Sequence, residues 1–190
     1  GEIRAWGIPT SGGLLSIDAA ALSGVRQIYS TESAFAALTD QGQVVAWGGN
    51  GGDTSAVQDQ LESGIRSIAS TTEAFAALDI NGKVTTWGTS RFGGDTSDIA
   101  DVLNEGVVEI FSTDHAFAGL KEDGTVVAWG DEYSGGFRGK SGIGIAQNVR
   151  EIRSTAGAFA VLLDDDTVQT WGYWNYGGVP EGLAALALAS

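Results

Sequence analysis

The chain has 190 residues, of which 43% are hydrophobic, so it is long and apolar enough to fold around a core of its own. Its formal net charge of −14 makes nucleic acid and anionic membranes poor partners, because an acidic surface repels phosphate groups. Cysteine is absent, which excludes disulfides, thiol nucleophiles and thiolate metal sites.

One motif occurs four times along the chain: I-x-S-T-x-x-A-F-A-x-L-x-x-x-G-x-V-x-x-W-G, with a single departure at its first glycine. The four copies occupy about residues 27–48, 67–88, 109–130 and 151–172. Spacing inside the copies is constant, whereas the connections between them vary in length. A constant block with variable connections predicts a rigid repeat scaffold that carries adjustable loops.

Each copy predicts three short strands, because apolar residues alternate and a hairpin dipeptide such as Asn81–Gly82 or Asp123–Gly124 separates the last two. In the fourth copy Asp166 stands where the others have this glycine. Aspartate tolerates a left-handed backbone better than most residues do, so we expect the turn to survive at a small cost.

The pentapeptide GGDTS occurs at 51–55 and again at 93–97, each time before a stretch with helix-like spacing, 55–61 and 97–103. Asp-Thr-Ser before such a stretch predicts a helix N-cap. Calcium binding through Asp53 and Asp95 is the alternative, although one aspartate in each loop supplies few ligands.

Other recurring residues have structural interpretations. The periodic tryptophans predict packing between repeats, and the recurring Ser-Thr pair predicts turn capping. His115, the single histidine, replaces residues that lie between strands, which predicts a loop or surface position. One histidine without cysteine cannot build a hydrolase triad or a histidine-based metal site, so we predict no enzyme activity, no cofactor and no metal.

Two places break the repeat and are candidates for binding. The segment WGYWNYGG adds three aromatic residues after the last Trp-Gly, and the segment 132–144 places aromatic and basic residues together, Lys140 among them. With the equivalent loops included, the candidate partner-binding residues are Tyr173, Trp174, Tyr176, Tyr133, Phe137, Arg138, Arg91 and Phe92. Packing against the next repeat is the alternative at each place.

The S-T-x-x-A-F-A-x-L strand, the D-G turn and V-x-x-W-G together resemble the regulator of chromosome condensation repeat, with AFAAL where that family has H-[ST]-x-A-L. The short unit looks like the compact bacterial branch, which includes a propeller-type β-lactamase inhibitor. The resemblance implies an all-β, propeller-like array of 40–42-residue blades with short helical loop insertions. Members of the family serve as a nucleotide exchange factor, as inhibitors and as modules of larger proteins, so it does not imply one function.

The two ends of the sequence resemble parts of one further unit. Residues 1–7 match a third strand and residues 185–190 match a first strand, which predicts a split unit made of 1–7 and 179–190 within a single repeat domain, 1–190. Either the chain is a fragment of a longer array, or its ends meet in a closed ring or a homo-oligomer formed through the terminal strands.

These observations predict a non-enzymatic module that presents variable loops to a protein partner. The alternatives are a structural, self-assembling propeller or fragment of a secreted or cell-surface bacterial protein, a β-lactamase-inhibitor-like protein, and a carbohydrate-binding propeller that uses the aromatic loop 173–176.

Overall fold

The computed structural model describes residues 3–16, 18–19, 22–137, 139–178 and 184–187. The described strands form four antiparallel sheets. Sheet 1 contains β1 (Val25–Ser30), β2 (Ala34–Thr39) and β3 (Val44–Gly48). Sheet 2 contains β4 (Ile65–Ser70), β5 (Ala74–Asp79) and β6 (Val84–Gly88). The all-β class predicted from the repeat is confirmed.

The other two sheets have a fourth strand. Sheet 3 contains β7 (Val107–Ser112), β8 (Ala116–Lys121), β9 (Val126–Gly130) and β10 (Ile143–Ala146). Sheet 4 contains β11 (Val149–Ser154), β12 (Ala158–Leu163), β13 (Thr167–Gly172) and β14 (Ala184–Ala187). We call each sheet, together with the loop that follows its Trp-Gly pair, a unit, and we number the units 1 to 4 after their sheets.

The middle strand of each unit places its Phe directly opposite the Trp of the third strand, as Phe75 opposite Trp87. Across the four units the ring centroids are 5.2–5.6 Å apart and the rings are inclined by 24–29°. Such stacked pairs are favourable beyond the area that they bury. The alanines that flank each Phe are small and, apart from the half-buried Ala160, buried, which lets neighbouring sheets approach closely.

The tryptophans join each unit to the loop before it, as the periodicity predicted. The indole Nε1 donates to a glycine carbonyl of the preceding loop at 2.9–3.2 Å in every case. The pairs are Trp47 with Gly12, Trp87 with Gly51, Trp129 with Gly93, and Trp171 with Gly135. Since all four indoles are buried, each bond fixes the position of one unit against the next.

Backbone bonds also link successive units at the turn before each middle strand. The N–H of Glu32 donates to the Thr72 carbonyl at 2.9 Å, Thr72 to Asp114 at 2.8 Å, and Asp114 to Ala156 at 2.9 Å. The predicted Ser-Thr capping is confirmed in the same turns. The Thr113 hydroxyl accepts from the Ala116 N–H at 3.0 Å and donates to the Ser134 carbonyl at 3.1 Å, which ties the following loop to its own sheet.

The turn at Asp166 is intact, as expected. Its φ is +64°, close to that of the glycines in the other units, and its N–H donates to the Leu163 carbonyl at 3.1 Å. The Asp166 carboxylate also pairs with Arg150 at 2.8 Å, but both side chains are exposed and such pairs contribute little.

Asp166→Gly is therefore expected to raise the free energy of unfolding by about 0.5–1 kcal/mol, because glycine adopts a positive φ without strain. Urea denaturation measures the difference, and Arg150→Ala is the control for the lost ion pair. A destabilised Asp166→Gly protein with an unchanged Arg150→Ala protein would show that the left-handed aspartate costs nothing here.

Three expectations about the connections need correction. The helix-like stretches 55–61 and 97–103 contain only the 3-10 turns Gln58–Gln60 and Ser97–Ile99, and neither has a side-chain N-cap. Asp53 and Asp95 instead accept the N–H two residues on, from Ser55 at 2.9 Å and from Ser97 at 3.0 Å. These local turns satisfy the carboxylates and compete with a longer helix. The hydrogen bond from Ser55 lowers the pKa of Asp53.

The third correction concerns the end of the chain. The sequence places residues 185–190 in the first strand of a split unit, but the structure pairs Ala184–Ala187 antiparallel with β13 as the fourth strand of sheet 4. Ile3 packs against Val45 and Trp47 of unit 1. Residues 1–2, 179–183 and 188–190 of the predicted split unit lie outside the described residues. Among the described helices, none is long and apolar enough to cross a membrane.

Candidate partner-binding groove

Four of the five loops that follow a Trp-Gly pair share one backbone conformation but differ in their side chains. A 3-10 turn occurs at Pro9–Ser11, Ser90–Phe92, Glu132–Ser134 and Trp174–Tyr176. Each turn starts from an extended residue with φ between −69° and −73° and ends at a glycine with positive φ. The loops of units 2, 3 and 4 are therefore equivalent positions on one scaffold, at which only the exposed side chains change.

These three loops border a surface groove of about 440 Å³. It is lined by Arg91, Asp114, His115, Asp131, Tyr133, Ser134, Ala156, Gly157, Tyr173 and Tyr176. Four of the eight candidate residues thus meet in one place, although they come from three different units. The shared loop conformation explains this, since equivalent loops of adjacent units lie side by side.

An ion pair crosses from the loop of unit 2 to that of unit 3. Arg91 Nε donates to Asp131 Oδ2 at 2.8 Å, and Asp131 Oδ1 accepts the Tyr133 N–H at 3.0 Å. The Arg91 side chain is 66% exposed, whereas that of Asp131 is 8% exposed. The bond to Asp131 raises the pKa of Arg91, so the guanidinium stays charged. The buried carboxylate holds the Tyr133 backbone and positions the arginine at the groove.

His115 lies in the turn between β7 and β8 and lines this groove. Its ring is half-buried and packs against the Phe92 ring with centroids 4.7 Å apart, and Nδ1 lies 3.3 Å from Ser134 Oγ. Phe92 therefore supports the groove from the unit 2 side instead of facing a partner. The predicted loop position of His115 is confirmed, but its spacing from the Trp-Gly loops offers no signal of the contact with Phe92.

The aromatic residues of unit 4 form the other wall. Tyr173 contacts Trp174 and Tyr176, with ring centroids 6.2 Å and 5.7 Å away. Trp174 is 62% exposed and lies at the end of this wall, outside the groove lining. Tyr133, at 74% exposed, stands on the opposite side. Exposed Tyr and Trp side chains in one patch are the residue types that dominate binding energy at protein interfaces.

Two further candidate residues are not among those that line this groove. Phe137 packs between sheets 3 and 4, against the core cluster that includes Phe159 and Trp171. This packing agrees with the alternative prediction, in which Phe137 contacts the next repeat. Arg138 lies outside the described residues, as does the Lys140 side chain. Within the described ranges, no three His, Asp or Glu side chains converge as metal ligands would, at the GGDTS loops or elsewhere.

Comparison with known proteins connects this architecture to solved structures. No protein-family model matches the chain, and no curated protein matches it in sequence. Yeast RCC1 (Prp20), solved with Kap60, aligns with a TM-score of 0.58 and 20% identity over 91% of this chain and 50% of that one. Human WBSCR16 aligns with a TM-score of 0.57 and 17% identity over 88% of this chain and 54% of that one.

A second structure of Prp20p, from Saccharomyces cerevisiae, aligns with a TM-score of 0.52 and 19% identity over 78% of this chain. The chain spans about half the length of the solved structures that it matches. Identities this low establish the fold and not the activity. Four antiparallel sheets, the cross-unit Trp–Gly bonds and these neighbours together show that the chain has the fold of an RCC1-like β-propeller.

Proposed function

We propose that this chain is a non-enzymatic module that binds a protein partner through the groove between the loops of units 2, 3 and 4. The observation that carries this proposal is the concentration of exposed aromatic residues at equivalent loop positions around one groove. In the loop before unit 1 the corresponding residues are Ile8, Pro9 and Thr10, which include no aromatic ring. The loop backbone is thus repeated, whereas among these loops the exposed aromatic side chains are confined to those that border the groove.

The structural neighbours are consistent with a binding scaffold. The yeast RCC1 structure was solved with Kap60 bound, and the Prp20p study concerns its binding to Gsp1p and histones. Kap60, Gsp1p and histones are partners of the yeast proteins. For this chain, the partner's chemistry is inferred from the groove itself.

Charge favours a basic segment as the bound part of the partner. Asp131 is already paired with Arg91, but the exposed Asp114 at the groove has no side-chain partner among the described residues. The whole chain carries a net charge of −14, which attracts a cationic partner over a longer range. Tyrosine faces also attract lysine and arginine side chains.

Trp174→Ala and Tyr133→Ala are each expected to weaken binding of a partner by about 2 kcal/mol, or roughly 30-fold, because both side chains are exposed and lie at the two walls. The partner would be isolated from the source cells on the wild-type chain and its affinity measured by calorimetry. Ile80→Ala is the matched control, since Ile80 is 72% exposed in a hairpin turn outside the groove.

The proposal fails if a purified partner binds both groove variants as tightly as it binds wild type and Ile80→Ala. Full binding by the variants would move the interface to another face of the propeller. If instead glycans change the tryptophan fluorescence and Trp174→Ala abolishes that change, the carbohydrate-binding alternative replaces this one.

A further inference from the structure

In each of the four junctions between units, a loop glycine accepts the indole N–H through its carbonyl oxygen. Gly177 occupies the equivalent position in the loop of unit 4. Its φ is +94°, the same as that of Gly93, and its N–H donates to the Trp174 carbonyl as that of Gly93 does to Ser90. At Gly93 an added Cβ would meet the Phe117 ring of the next unit at 2.6 Å. At Gly177 it would meet no described residue within 4 Å. The acceptor site is formed, but no described residue fills it.

Trp6 is the complementary group at the other end of the array. It precedes the loop 8–13 as the other tryptophans precede theirs, and Gly12 of that loop accepts from Trp47. Four equivalent indoles are 2–4% exposed, whereas Trp6 is 85% exposed and its N–H has no acceptor among the described residues. Nearby, Ile3 is buried against unit 1, which anchors the segment that carries Trp6.

We propose that two copies of this chain associate head to tail, with Trp6 of one copy seated on the Gly177 loop of the other. The indole Nε1 donates to the Gly177 carbonyl, as in the four junctions within the chain. The contact joins two different surfaces, so it is heterologous and either closes into a ring or continues as a chain of molecules. The acceptor loop also forms one wall of the partner-binding groove proposed above, but this contact uses the Gly177 carbonyl and not the tyrosine side chains.

The proposed contact differs from the four junctions within the chain in one respect. Trp6 brings no phenylalanine with it, unlike the tryptophans of units 1 to 4. The junction therefore has one aromatic ring instead of two, and we expect association that depends on concentration.

Sedimentation equilibrium over a concentration series tests the proposal. The average mass of the wild-type chain is expected to rise from 19.6 kDa towards twice that value. Trp6→Ala should weaken association at least about tenfold, and Gly177→Ala should do the same because its added methyl occupies the seat of the ring. Ile80→Ala is the control, since it removes an exposed apolar side chain that belongs to neither surface of the proposed contact.

Mixing the two variants distinguishes this contact from other kinds of association. The Trp6→Ala copy retains an intact Gly177 and the Gly177→Ala copy retains an intact Trp6, so the mixture should form one junction although neither variant associates alone. A wild-type chain that stays monomeric at every concentration would overturn the proposal. So would a Trp6→Ala protein that associates as wild type does, or a mixture that shows no complementation.

Discussion

Phe75→Ala is expected to lower the free energy of unfolding by about 3–5 kcal/mol, the range for removing a large aromatic side chain from a core. Phe75 is fully buried, stacks on Trp87 at 5.2 Å and packs against the preceding loop at Gly51. Its loss therefore leaves a cavity between units 1 and 2 and removes the support of the indole that joins them. Chemical denaturation with equilibrium fluorescence measures the change.

Ile80→Ala is the control for Phe75→Ala, because Ile80 is exposed in the hairpin turn of the same unit. A surface substitution of this kind usually changes stability by less than about 0.5 kcal/mol. If Phe75→Ala proved as mild as the control, the Phe–Trp pair would not be the contact that holds the units together.

Gly93→Ala and Gly177→Ala form a matched pair whose difference isolates the packing between units. Both glycines have φ of +94°, so alanine is strained equally at each, by about 1–2 kcal/mol. Only at Gly93 does the new methyl meet Phe117, at 2.6 Å, and Trp129, at 3.2 Å. Overpacking of this kind adds about 1–3 kcal/mol.

We therefore expect Gly93→Ala to lose about 1–3 kcal/mol more stability than Gly177→Ala, measured by denaturation at a concentration where the chain is monomeric. Equal losses at the two positions would contradict the structure, because they would mean that the ring of the next unit does not lie against Gly93. A larger loss at Gly177 would mean that its loop is filled within one chain.

The repeated core was predictable because its signals are local. Alternation, hairpin dipeptides and constant spacing locate the three strands of each unit, and the structure has them in β2 and β3, for example, with Phe35 opposite Trp47. Asp166 illustrates the same point. It replaces the turn glycine of the other copies, and the tolerance of aspartate for a left-handed backbone was enough to predict that the turn survives.

The connections were predicted less well because their structure depends on contacts between units. Nothing local in residues 143–146 distinguishes a fourth strand from a loop, yet β10 pairs with β9. The spacing after Asp95 predicted a helix, but the Asp95 carboxylate accepts the Ser97 N–H and forms a local turn instead. An aromatic residue in a variable loop is typical of a binding site, but Phe137 is half-buried and packs against the core between sheets 3 and 4.

The sequence predicted several residues of the candidate groove but not the contacts between them. Departures from the repeat identified Tyr133, Tyr173 and Tyr176 as binding candidates, the equivalent loop added Arg91, and the structure brings these four together. The Arg91–Asp131 pair joins two equivalent loops one repeat apart, so knowing that equivalent loops are neighbours would have been enough to suggest it. The contact of His115 with Phe92 joins a turn between strands to the loop of the preceding unit, and the sequence carries no sign of that pairing.

Hydrogen exchange of the six indole N–H groups, followed by NMR, is the most direct test of the repeated junction on which this account depends. At low concentration we expect four slowly exchanging indoles, those of Trp47, Trp87, Trp129 and Trp171, each bonded to a glycine carbonyl and 2–4% exposed. Trp6 and Trp174, 85% and 62% exposed, should exchange at rates near those of a free indole. Rapid exchange at any of the four junction indoles would contradict the stacking of the units, and slow exchange at Trp6 at that concentration would contradict an open Gly177 edge.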